Sequence, residues 1–132
     1  MKIYLAAAFS RQAEMKQVAF QLIGRGFEVT SQWLTNTPGV IKGKKARMQD
    51  AFMDINDLRE ADILVRFSDD LTKDSIPAKL GSGARMFEFG MAWERGMPIV
   101  VVGGRQNIFD SLPNVTHVAD LKELFEYLGE LS

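Results

Sequence analysis

The chain has no cysteine and one histidine, His117. The first absence excludes disulfides, a thiol nucleophile and Cys-ligated zinc. One histidine cannot build a His-cluster metal site, so neither metal nor cofactor is expected and His117 reads as structural. A dominant charge is missing too: 16 Lys and Arg against 17 Asp and Glu leave a net −1. A protein whose main task is binding nucleic acid usually needs a basic surface, so no nucleic-acid partner is expected. No apolar run approaches the roughly 20 residues of a membrane span, and no membrane partner is expected. A strand-like run at residues 2–8 stands where a leader would be read, and a cytoplasmic location is expected. What is present, 132 residues with 46% hydrophobic and 25% charged, suits one domain with a real core.

Apolar runs alternate with helical periodicity along the chain. Residues 2–8, 27–33, 61–67, 98–102 and 116–118 read as strands. Between them, Met15, Val18, Ala19, Leu22 and Ile23 follow helical spacing after Ser10, which reads as an N-cap. A second helix over about 44–61 carries Met48, Ala51, Phe52, Ile55 and Leu58 on its expected apolar face. A third holds Glu88 and ends at Gly96, and a fourth follows Asp120. Residues 35–45 and 68–83 read as polar loops. This order predicts an α/β domain spanning residues 1–132, with right-handed crossovers and a parallel sheet of about five strands covered on both faces. Ligands bind such sheets at the carboxyl ends of the strands.

The stretch from Gly81 to Gly90 concentrates the chemistry. Met86 to Trp93 is apolar on every side except at Glu88. An all-apolar helix is normally buried, and a buried carboxylate needs a partner. Glu88 is therefore either a functional carboxylate or half of an ion pair with Arg66 or Arg85. Gly81, Ser82 and Gly83 lead into the helix, and with Arg85 in its first turn they form a candidate anion site. Ser10 and Arg11, just after the first strand, form a candidate second grip on phosphate. Asp50, Asp54 and Asp57 share one face of the second helix, either as a solvated acidic face or with one of them in the site. Tyr4 reads as strand packing with its hydroxyl satisfied nearby. Trp33 either stacks on a planar base or closes the core.

Three features occur together in one order: Tyr4-Leu5-Ala6 before a small-residue turn, an Asp-x-x-Asp-Leu-x-x-Ala-Asp run from Asp54 to Asp62, and Gly-x-x-x-x-Glu-x-Gly from Gly83 to Gly90 before Gly-x-Pro-Ile-Val. From about residue 2 to 102 the chain resembles the nucleoside 2-deoxyribosyltransferase superfamily, which includes the 2′-deoxynucleoside 5′-monophosphate N-glycosidases. The resemblance implies a Rossmann-like (flavodoxin-like) fold and an enzyme whose Glu88 attacks the anomeric carbon of the sugar. A covalent glycosyl-enzyme would then be resolved by water or by a second base. It implies that Asp54 protonates the leaving base or orients the sugar, and that Tyr4 holds the nucleophile. It also implies a homodimer or larger homo-oligomer in which residues 103–107 close a neighbour's site, which adds Asn107 to the substrate contacts. The chain departs from the family at Ala7-Ala8-Phe9, where Gly-Pro or Gly-Ser is frequent. Arg85 and its flanking glycines favour a nucleotide over a free nucleoside.

Two alternatives compete. A phosphoribohydrolase of the lysine-decarboxylase-like fold carries Pro-Gly-Gly-x-Gly-Thr-x-x-Glu, and residues 81–88 lack its Pro, paired Gly and Thr. A nucleotide-binding sensor without turnover would need neither Glu88 nor Asp54.

Overall fold

The computed structural model describes residues 1–36, 43–69 and 82–131. Five parallel strands run β1 (Lys2–Ala6), β2 (Glu28–Val29), β3 (Ile63–Phe67), β4 (Ile99–Val102) and β5 (Val115–Val118). Their spatial order is β2-β1-β3-β4-β5, an α/β Rossmann-like arrangement. Among the described residues four helices accompany them: α1 (Gln12–Gly24), α2 (Lys44–Glu60), α3 (Ser82–Glu94) and α4 (Leu121–Leu131). The near-continuous apolar runs of β3 and β4 are what a strand covered on both faces requires, and every residue of both is buried.

Helices α2 and α3 contact each other and reach β1 and β3, respectively. On the other layer, Arg25 at the end of α1 lies 4.2 Å over the Phe125 ring of α4. Among the described residues, each face of the sheet is thus covered by a pair of helices. The turn that follows helix α3 closes at Gly96, whose φ of 71° only glycine adopts freely. Met97 N–H then closes on Ala92 O at 2.9 Å, so the helix turns straight into β4. Helix α4 starts at an Asp120 cap: its carboxylate accepts from Glu123 N–H at 3.0 Å while Glu123 accepts from Ala119 N–H at 2.7 Å.

Several boundaries differ from expectation. Residues 27–33 form only a two-residue strand followed by a 3-10 turn (Gln32–Thr35). Here side chains replace the ladder: Ser31 Oγ accepts from Leu5 N–H at 2.7 Å and Trp33 Nε1 donates to Leu5 O at 2.8 Å. Ser10 does not cap α1. It sits in a 3-10 turn (Phe9–Arg11), and α1 begins after Arg11 with no side-chain cap bond. On α2, Met48 and Phe52 are exposed, not core residues. The expected loops fall largely on residues 37–42 and 70–81, outside the described residues.

Candidate active site

Strand β1 turns Tyr4 toward the α2/α3 layer, where its hydroxyl donates to Glu88 Oε2. The two ion-pair alternatives for Glu88 have carboxylate partners elsewhere: Arg66 Nη2 pairs with Asp110 and Arg85 Nη1 with Asp69, each at 2.7 Å. Burial pushes the Glu88 carboxyl up to about 7; the Tyr4 hydrogen bond and the Arg85 charge pull it down while Asp54 pushes it up. Burial, followed by the Glu88 and Asp54 charges, drives the Tyr4 phenol far above its ordinary range. Tyr4 therefore stays a neutral hydrogen-bond donor at any physiological pH.

Across from Glu88 stands Asp54. Both border a cleft of about 200 Å³, walled by Ala51, Ile55 and Leu58 of α2 and by Ala84, Phe87 and Met91 of α3. The wall is almost wholly carbon, so the two carboxyls are its chemistry. Asp54 Oδ1 is buried without a hydrogen-bond partner among the described residues. Burial, then the charges of Asp57 and Asp50, lift Asp54 up to about 6. A pair of carboxyls lifted toward neutrality with different partners can divide the roles of nucleophile and acid.

The phosphate candidates divide. Arg85 is buried and paired with Asp69 one turn before Glu88, beside a second cleft of about 270 Å³ that Arg66, Met86, Gln106 and Asn107 also line. Asn107 Nδ2 donates to Met86 Sδ at 3.3 Å and its Oδ1 caps the Phe109 N–H at 2.9 Å. Gly83 is exposed in the first turn of α3. Gly81 and the side chain of Ser82 lie outside the described residues. Arg11 belongs elsewhere: its guanidinium pairs with Glu14 at 2.7 Å and donates to Ser68 O at 2.9 Å. It borders a different cavity, of about 770 Å³, with Gly103 and Gly104. Ser10 is exposed beside it, and Trp33 is buried against Phe9, 6.1 Å between ring centres. The structure thus gathers Tyr4, Asp54 and Glu88 at one cleft, sets Arg85 and Asn107 beside it, and separates Arg11 and Trp33 from it. His117 is structural, its Nε2 2.6 Å from Asp110 O.

Sequence reasoning missed Asp110 and the particular standing of Asp57. Asp110 is fully buried, and although burial raises its carboxyl, hydrogen bonds from Arg66 and Gln106 N–H hold it below its usual range. It lies in a single 3-10 turn (Ile108–Ser111), too short for a periodicity to mark it. Asp57 read as one of three acids sharing a helix face, but it is buried and accepts from Gln32 N–H at 2.9 Å and Gln32 Nε2 at 2.7 Å.

Searches against family models and against curated proteins match nothing. Among solved structures, a 2-deoxyribosyltransferase from Bacillus psychrosaccharolyticus is 21% identical, with a TM-score of 0.69 over 94% of this chain and 90% of that one. A CMP N-glycosidase of Clostridium botulinum is 17% identical, with a TM-score of 0.55 over 99% and 98%. The chain has the fold of these proteins. A conserved protein from Enterococcus faecalis shares it as well, at 17% identity and a TM-score of 0.63 over 100% of this chain and 99% of that one.

Proposed function

We propose that the protein is an enzyme that cleaves the N-glycosidic bond of a nucleoside or 2′-deoxynucleoside 5′-monophosphate. The observation that carries this reading is the Tyr4–Glu88 hydrogen bond facing Asp54 across an apolar cleft. Fold neighbours that are an N-glycosidase and a deoxyribosyltransferase support it.

In this mechanism Tyr4 holds Glu88 Oε2, and Oε1 attacks the anomeric carbon as its bond to the base nitrogen breaks. The base takes its electron pair and a proton from Asp54. The resulting glycosyl ester is released by water, whose proton returns to Asp54, or by a second base. The carbon walls keep water from competing for the carboxyls, which strengthens every charge interaction inside. Arg85 and the start of α3, including Gly83, receive the phosphate, and Asn107 borders that subsite. Phosphate binding remote from the reacting bond supplies energy for positioning the sugar. The reading includes a cytoplasmic homodimer or larger homo-oligomer. Phe52 and Phe87, 58% and 60% exposed, sit on the two helices that wall the cleft, and a second copy is the partner proposed to cover them.

The test offers nucleosides and nucleoside 5′-monophosphates, ribo and deoxy, and follows free base by chromatography, with Glu88→Gln and Asp54→Asn in parallel. Base release from monophosphates, lost in Glu88→Gln, is the expected result. Release only on adding a second base identifies a transferase. Nucleotide binding with no release from any substrate overturns the enzyme reading in favour of a sensor.

A further inference from the structure

Strand β3 carries Arg66 into the same layer as Tyr4 and Glu88. In the parallel register Tyr4 stands opposite Leu64 and Ala6 opposite Arg66, and side chains two apart on a strand share a face. Arg66 is thus nearer than Tyr4 to the carboxyl end of the sheet, where ligands of such folds bind. It lines the cleft of about 270 Å³ together with Arg85, Asp69, Met86 and Asn107.

Arg66 is 2% exposed, and a guanidinium so buried usually has its N–H donors satisfied. This one does not. Nη2 donates to Asp110 Oδ2 at 2.7 Å. The acceptor at Nη1 is a thioether, Met86 Sδ, at 3.4 Å. Nε has no hydrogen-bond partner among the described residues. Asn107 Nδ2 converges on the same sulfur at 3.3 Å. A thioether is a weak acceptor, so two strong donors share one poor acceptor and a third has none. Asp110 and the Phe89 ring, whose centre lies 5.3 Å from the guanidinium carbon, fix the group before any ligand arrives. A fixed fork of unsatisfied donors fits the oxygens of a phosphate ester. Asp110 and Asp69 match Arg66 and Arg85 charge for charge. The cleft therefore selects by its donors, not by an excess of positive charge.

On the nucleotide reading above, on which this inference rests, we propose that Arg66 is the residue that reads the 5′-phosphate. Its Nε and Nη1, with Asn107 Nδ2, donate to phosphate oxygens, and Met86 Sδ stands in for those oxygens until the nucleotide binds. The unbranched, flexible methionine side chain is suited to yielding that place. Arg66 makes binding depend on the phosphate and takes no part in breaking the glycosidic bond.

The experiment measures, by calorimetry on the full chain carrying Glu88→Gln to stop turnover, the affinities for a nucleoside, its 5′-monophosphate and inorganic phosphate. Base release by the unsubstituted chain is followed in parallel. The monophosphate is expected to bind tighter than the nucleoside, with inorganic phosphate competing for its seat. Arg66→Lys keeps a cation for Asp110 but loses the fork. It should lower monophosphate affinity about 10–100-fold and leave nucleoside affinity unchanged, whereas a structural loss would weaken both ligands together. Arg66→Gln combined with Asp110→Asn removes the buried pair as a unit and should give the same split. Met86→Leu conserves volume and removes the sulfur. It should raise monophosphate affinity relative to the nucleoside, and it decides the matter if neither Arg66 variant folds. A monophosphate-to-nucleoside ratio unmoved in a folded Arg66 variant, or not raised in Met86→Leu, overturns the proposal. A nucleoside that binds as tightly as its monophosphate and releases its base overturns it too, while leaving N-glycosidic cleavage intact. Monophosphate binding that depends on Arg66 in a protein that releases no base supports the phosphate seat and places the failure in the proposed reaction.

Discussion

Replacing Glu88 with Gln is expected to make the protein more stable at pH 8 while abolishing base release. Burial raises this carboxyl from 4.5 to about 7. Because the folded-state value is the raised one, the stability associated with Glu88 is complete below about 4.5 and is lost as pH rises through about 7. At pH 8 the full shift would amount to about 3 kcal/mol. Glu88 keeps part of its surface in solvent, and screening reduces this to about 1–2 kcal/mol. The amide has nearly the shape of the protonated acid, and its oxygen can still accept from Tyr4. Thermal melts of the two proteins at pH 4, 6 and 8 read the difference directly. The Gln variant should melt about 3–8 °C higher at pH 8 and within about a degree of the unsubstituted chain at pH 4. A gap that does not change with pH, or a Gln variant less stable at pH 8, would refute the claim that an ionised Glu88 is held there at a cost.

Two further outcomes follow from buried contacts away from the cleft. Asp110→Asn leaves Arg66, 2% exposed, without its charge partner, and should lower unfolding free energy by about 3–5 kcal/mol in urea titrations. The pair's contribution is present above the ordinary carboxylate range and is lost as pH falls through the lowered value of Asp110, so the difference between the two proteins should shrink in acid. Gly103→Ala places a methyl group 3.1 Å from Ser68 Cβ at a φ of 108°. It should destabilise the chain by about 1–3 kcal/mol, measured by the same titration.

The alternation of strand and helix was legible because it rests on hydrophobic period, which survives without knowledge of partners. Glu88 was legible for a related reason, as a lone charge in an apolar run. Tyr4 became a candidate only through the motif resemblance, which also singled out a role for Asp54 among the acids of its helix face, because what joins them to Glu88 is a sheet-and-helix geometry that no local spacing encodes. Where side chains stand in for backbone pairing, as at Ser31 and Trp33, β-propensity overstates the strand. Met48 and Phe52 keep helical spacing but face outward, since periodicity identifies an apolar face without saying what covers it. The amide clamp on Asp57 comes from Gln32, 25 residues earlier, and a contact across that separation leaves no local signature.

The Tyr4–Glu88 hydrogen bond joins residues 84 positions apart. Closing so long a loop has an entropic penalty that grows only slowly with length, but it cannot be met until β1, β3 and the helices crossing between them have assembled. During synthesis, β1 leaves the ribosome long before α3 exists, so an early partly made chain cannot carry Glu88 beside the Tyr4 phenol. Formation of this pair is therefore a long-range event that requires both β1 and α3 to be in place.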